Sequence, residues 1–214
     1  MVIKSLLALA ILGVASADTV KLTRSYSEAK AKSYDIFAEN KEREFVFTGN
    51  FTFKVAGTAK DSLTPLKVTC PAAKVTIQGN VAEEDGIETT LNFDVNNMPD
   101  MFDLEGNMIA IVVLSISGFV PNADVEVGKA FDIKWEKSGT TFKGKGTLQM
   151  VEEKEGVKVA SVKTEAEFSG GSDRSLRLEV VTELDSSDGS MIGSKGKIVV
   201  NEADTYEFTI KSKS

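Results

Sequence analysis

The 214-residue chain carries 32 acidic against 25 basic side chains, a net charge of −7, one cysteine and no histidine. Without histidine there is no Ser-His-Asp or Cys-His catalysis and no imidazole switch near neutral pH, and most catalytic zinc sites go with them. The charges of both signs are interspersed, so the basic stripe that a nucleic-acid backbone requires is missing.

The chain opens MVIKSLLALAILGVASA. Lys4, an apolar run from Ser5 to Val14 and the small-residue ending Ala15-Ser16-Ala17 follow the three-part order of a secretory signal peptide. The apolar run is too short for a spanning helix, which needs roughly 20 residues. Cleavage near Ala17 predicts an exported product, periplasmic or secreted, that starts at Asp18 and has no membrane span. Its charge is −8, because the removed segment holds Lys4 and no acid. Cys70 cannot form an internal disulfide on its own and reads as a small buried hydrophobe. Stability must therefore come from the hydrophobic core.

Val20, Leu22, Arg24 and Tyr26 alternate as a first strand. Residues 24–43 are rich enough in alanine, lysine and glutamate to suit an amphipathic helix as well, but the alternation of Tyr34, Ile36 and Ala38 favours a strand. The clearest signal follows at Phe45–Val55, FVFTGNFTFKV, which sets four phenylalanines on one parity and mostly polar residues on the other. This is a long strand with one aromatic face. Gly49 in its middle marks a bend, a bulge or a close approach.

Leu66–Val81 alternates with a break at Cys70-Pro71-Ala72, where proline cannot donate to a sheet ladder. Glu83-Glu84-Asp85-Gly86 is expected to be a hairpin turn leading into Ile87–Val95. Asn96–Asn107 is the least regular interior stretch. Met108–Ile116, MIAIVVLSI, is apolar on both parities and reads as a strand buried on both faces. Gly118–Gly128 is a crossing point; beyond it, alternating runs continue at Phe131–Trp135, Phe142–Met150, Val157–Phe168, Leu176–Leu184, Ile198–Val200 and Tyr206–Ile210. A parity change near Val159-Ala160 predicts a one-residue bulge. The tail Lys211–Ser214 reads as solvated.

The fold expected is all-β, an antiparallel meander of about 10–12 strands curled into a half barrel or barrel. Residues 18–214 make one β-rich domain. An echo between residues 76–93 and 147–168, each strand, acidic turn and strand, also allows two related halves, 18–117 and 118–214.

Few stretches suggest chemistry. Gly139–Gly146 nearly spells a phosphate-binding loop, but Gly146 stands where the Mg²⁺-holding hydroxyl belongs and the segment alternates as a strand. Asp185–Gly189 has the composition of a calcium loop without its spacing. No catalytic residue, metal-ligand set or cofactor motif is assigned, and the chain is read as non-enzymatic. The candidate ligand-binding residues are Phe47, Phe51, Phe53 and Trp135, which could line a cavity for an apolar small molecule such as a lipid. The competing reading makes them plain core. The alternatives to a carrier are an interaction or structural module docking on an envelope protein, and a hydrolase using paired carboxylates.

At Val120–Trp135, VPNADVEVGKAFDIKW, a proline-containing approach and a V-x-V-G turn lead into a strand bearing the tryptophan. This resembles exported β-rich bacterial proteins of unknown function, which are distantly like the half-barrel lipoprotein carriers of the periplasm. The resemblance implies an apolar concave face covered by helices, although the residues themselves give no clear helix.

Overall fold

The computed structural model describes residues 19–27, 30–84, 86–100, 108–137, 139–170 and 174–213. The expected signal peptide, residues 1–17, lies outside them. Among the described residues there are fourteen strands and one helix. Strands β1 (Thr19–Leu22) and β8 (Ala123–Glu126) form a two-stranded antiparallel ribbon. The other twelve make a single sheet, which comprises β2 (Lys32–Asn40), β3 (Phe45–Val55), β4 (Thr64–Cys70), β5 (Ala73–Ile77), β6 (Asn80–Glu84), β7 (Ile87–Phe93), β9 (Ala130–Lys137), β10 (Thr140–Lys154), β11 (Val157–Gly170), β12 (Arg174–Asp185), β13 (Met191–Val200) and β14 (Asp204–Lys213). Helix α1 spans Met108–Ser117. The all-β antiparallel expectation is met.

The sheet runs β6-β5-β3-β2-β14-β13-β12-β11-β10-β9, and it forks at β3. There Phe45–Gly49 pairs with β5, while Thr52–Val55 pairs with β4, which in turn pairs with β7. Gly49 sits where the partner changes. A Cβ there would lie 2.9 Å from the Phe51 ring and 3.2 Å from that of Phe47, so glycine leaves room for two aromatic neighbours to converge. The fork also explains the break at Cys70-Pro71-Ala72, which carries the chain from one branch to the other. Cys70 is buried at the end of β4.

Alternation decides what each face does. Ile36, Phe51, Val162, Leu178 and Ile210 point inward and are nearly inaccessible to solvent. Outward positions carry ion pairs, among them Lys163–Glu165 at 2.6 Å, Lys197–Glu179 at 2.9 Å and Arg177–Glu167 at 3.2 Å. A transmembrane barrel has the reverse polarity, with its apolar belt outside. No helix among the described residues is long and apolar enough to cross a membrane.

The sheet is curled. β7 and β13 stand five ladders apart, roughly 24 Å in a flat sheet at about 4.8 Å per ladder. Yet Phe93 of β7 and Met191 of β13 line the same small interior gap, together with Leu114 of α1. The curl stops short of closure, because among the described residues β9 pairs only with β10, β6 only with β5 and β7 only with β4. The result is a half barrel rather than a barrel.

Several expectations are corrected. Met108–Ile116 is not a strand but most of α1, and the described side chains of that helix are buried within the sheet's concave face. Apolar residues on both parities signal complete burial, which suits an interior helix as well as a central strand. The hairpin turn is at Gln78-Gly79, with φ of 50° and 78°, rather than at Glu83–Gly86. Glu83 and Glu84 instead extend β6, opposite Lys74 and Ala73. The first strand ends at Leu22, leaving Arg24 and Tyr26 outside it. The bulge lies on β10 at Gln149, since Leu148 and Met150 face consecutive residues Val162 and Ser161. Residues 211–213 are not a free tail but pair with β2.

Gly144 and Gly146, the glycines of the near phosphate loop, are strand positions at points of close approach. A Cβ at Gly144 would run into the Glu165 carbonyl oxygen and Ala166, and one at Gly146 into the ring of Phe131. Gly144→Ala is expected to cost about 1–3 kcal/mol, because the obstruction is backbone that cannot swing aside. Thermal unfolding of the purified variant checks this; a melting point equal to the parent's would refute the close approach.

Candidate ligand-binding site

The candidate aromatic residues do not converge as a set. Phe51 is fully buried and pairs across the ladder with Tyr34. Phe53 is partly buried, its ring edge-on to Tyr34 and to Phe93 at 5.9 Å each. Phe47 is partly buried over Gly49. Trp135 lies on β9, seven ladders from β3 along the sheet, opposite Phe142 and partly packed on the core. Of the four, only Phe53 lines the small gap between sheet and helix. That gap measures about 20 Å³, room for about one water molecule.

Its walls come from distant parts of the chain. Tyr34, Leu66 and Phe93 are contributed by the sheet, Leu114 and Ser115 by α1, and Gly189 by the β12–β13 turn. Asn97, Gly118 and Met191 also line it, and so does Arg24, which sequence reading placed in a strand. Its Nε and Nη1 are buried and have no hydrogen-bond partner among the described residues. Its guanidinium carbon sits 4.9 Å from the centre of the Tyr26 ring, a cation–π contact that fixes one side of the group. The sequence clue was an arginine on the same parity as Val20 and Leu22, where an apolar residue would be expected.

Two loops hold this arrangement. The first is the β12–β13 turn. Ser25 N–H donates to the Asp188 carbonyl at 2.8 Å, and a Cβ on Gly189 (φ 66°) would sit 2.5 Å from the Thr23 carbonyl oxygen. Only glycine lets the turn and the Thr23–Arg24 backbone approach so closely. Burial pushes the Asp188 carboxyl up, but hydrogen bonds from Ser190 and the charges of Lys32 and Arg24 outweigh it and hold it below its ordinary value. Lys32 Nζ lies 3.7 Å from Asp188 Oδ2.

The second loop follows β7. Asp94 Oδ1 accepts the N–H groups of Asn96 at 2.9 Å and Met98 at 2.8 Å, an Asx turn, while burial pushes its carboxyl up. Asn96 and Val120 are joined twice. The Asn96 side-chain amide donates to the Val120 carbonyl at 2.7 Å, and Val120 N–H donates back to the Asn96 carbonyl at 3.2 Å. Asn97 Nδ2 reaches the Ser115 carbonyl at 3.4 Å. The C-terminal end of α1 is thus latched by polar bonds. Tyr26 Oη shares its proton between the Asp94 carbonyl at 3.1 Å and Asn97 Oδ1 at 3.2 Å, tying the arginine segment to the same latch. Burial keeps that phenol neutral by raising its pKa far above the ordinary value.

Outside the half barrel the hollows are wide and shallow. One of about 660 Å³ is bordered by Lys143, Lys145, Glu165, Glu167, Arg177 and Lys197. Opposite signs stand in register across β10 and β11, Lys143 with Glu167 and Lys145 with Glu165, so the named residues present no single-signed surface.

No protein-family model matches the chain, and no curated protein matches it. Among solved structures, one that aligns is the crystal structure of a presumed exported protein with a YmcC-like fold from Bacteroides fragilis. It is 6% identical, the alignment covers 91% of this chain and 100% of that one, and the TM-score is 0.38.

Proposed function

We propose that the protein is an exported, non-catalytic binding domain that accepts an apolar ligand between α1 and the concave face of the half barrel. One observation carries this reading. The concave face of an open sheet is filled by a separate ten-residue helix, MIAIVVLSIS, with no charged residue and no polar side beyond two serines. Such a helix is stable only while buried, and the wall that buries it would bury a lipid chain equally well. The interior gap of about 20 Å³ is far below the 300–1,000 Å³ of a ligand pocket, so the ligand takes up the space of α1 rather than filling a standing void. Displacing α1 exposes its own apolar surface, so the ligand must bury at least as much area in its place, and the latch at Asn96 sets how readily the exchange occurs.

The test is uptake of N-phenyl-1-naphthylamine, whose fluorescence rises in apolar surroundings, by the folded protein. Asn96→Ala removes a 2.7 Å hydrogen bond worth about 0.5–1.5 kcal/mol and is expected to raise uptake roughly 2- to 10-fold. No uptake by either protein, together with no lipid in an organic extract of natively purified material, would remove the proposal.

A further inference from the structure

We propose that Arg24 anchors the headgroup in this same site, and that the ligand is an anionic amphiphile of the long-chain carboxylate class. The inference rests on the reading that the concave face accepts an apolar chain, and it adds the polar end. A guanidinium stays protonated at any physiological pH and is donor-only, so its unpaired nitrogens call for an acceptor. Nε and Nη1 of Arg24 are both buried and find none among the described residues. Nearby acids do not supply it. Asp188 Oδ1 accepts from Ser190 N–H at 2.7 Å and Oδ2 faces Lys32, while Asp94 Oδ1 is taken up by the backbone of Asn96 and Met98.

The surroundings narrow the class. Beyond Arg24 the gap is lined mainly by apolar side chains, Phe53, Leu66, Phe93 and Leu114, with Tyr34, Asn97 and Ser115 as its polar members, so a chain with one charged end and an apolar body suits it. The space beside Arg24 is of one-water size, which suits a carboxylate rather than a bulkier phosphodiester. Tyr26 beneath the guanidinium fixes its plane before any ligand arrives, so little freedom is lost on binding. A single trapped water is the rival occupant, and it would give no preference for a charged ligand.

The experiment compares cis-parinaric acid with its methyl ester by fluorescence titration of the intact protein at pH 8. The parent is expected to bind the acid at least 10-fold more tightly than the ester. Arg24→Gln is expected to bring the acid down to the ester's affinity, and Arg24→Lys, which keeps the charge, to restore part of the preference. Equal affinity of the parent for acid and ester overturns the anchor while leaving the apolar site standing, and this needs no variant to fold. Persistence of the preference in Arg24→Gln overturns the assignment to Arg24. Binding of neither ligand overturns the site and the anchor together.

Discussion

Phe51→Ala is expected to destabilise the protein by about 3–5 kcal/mol, the range for truncating a buried phenylalanine. The side chain is fully buried at the fork of the sheet. The backbone around it is fixed from both sides: Tyr34 of β2 lies opposite, Thr52–Val55 is bound to β4 and Phe45–Gly49 to β5. Collapse into the space left behind would have to break one of those ladders, so most of the cavity should persist. Against a typical total of 5–15 kcal/mol, the loss is a large share. Urea unfolding should show a lower midpoint at an unchanged slope. Phe47→Ala, on the same strand face but only partly buried, is the comparison and should cost clearly less. Equal losses at the two positions would show that the fork is not the rigid point of the sheet.

The same strand shows what a sequence makes legible. β3 is read to the residue because aromatic and polar residues alternate along it, with Phe51 buried on one face and Thr48 and Lys54 exposed on the other. Where both faces are covered, alternation disappears. Met108–Ile116 offered only a short apolar run, and nothing in its composition distinguishes a buried strand from a helix enclosed by a sheet. Turn chemistry failed at one place for a related reason. Asp85-Gly86 is a stronger turn signal than Gln78-Gly79, but Pro71 had already ended β4, and the next strand needed the earlier reversal to reach β5. Alternation also names a face without naming a neighbour. That β2 pairs with β14 and β7 with β4 follows from the packing of the whole sheet around α1, not from any local pattern.

The site was legible only in its apolar half. Phe51 and Phe53 stood out as aromatic positions on one strand face; Phe53 lines the gap and Phe51 is plain core. Trp135 stood out by type alone and belongs to the far end of the sheet. Arg24 was visible as an exception, a charged residue on an inward parity, yet its meaning depends on Tyr26, Gly189 and Leu114, which are 2, 165 and 90 positions away. Unpaired buried donors are a property of three-dimensional surroundings and leave no trace in spacing.

Leu114→Ala is expected to lower stability by about 2–5 kcal/mol and to raise uptake of an apolar probe beyond what an equal loss of stability elsewhere in the core produces. Leu114 is 2% exposed, sits on α1 and lines the gap opposite Phe53, Leu66 and Phe93. Truncation enlarges that gap from its one-water size, and each added cubic ångström costs about 24 cal/mol if the walls hold. The same change removes helix surface that competes with a ligand for the sheet, so the apolar occupant is easier to replace. Ile133→Ala separates the two effects. Ile133 is equally buried at 2% exposure but lies on β9, and it does not line the gap. Its loss should cost a similar amount of stability and leave N-phenyl-1-naphthylamine uptake at the parent's level. If both variants raise uptake in proportion to their instability, the probe is reporting loosened core, and α1 is a structural element of the half barrel rather than the occupant of a binding site.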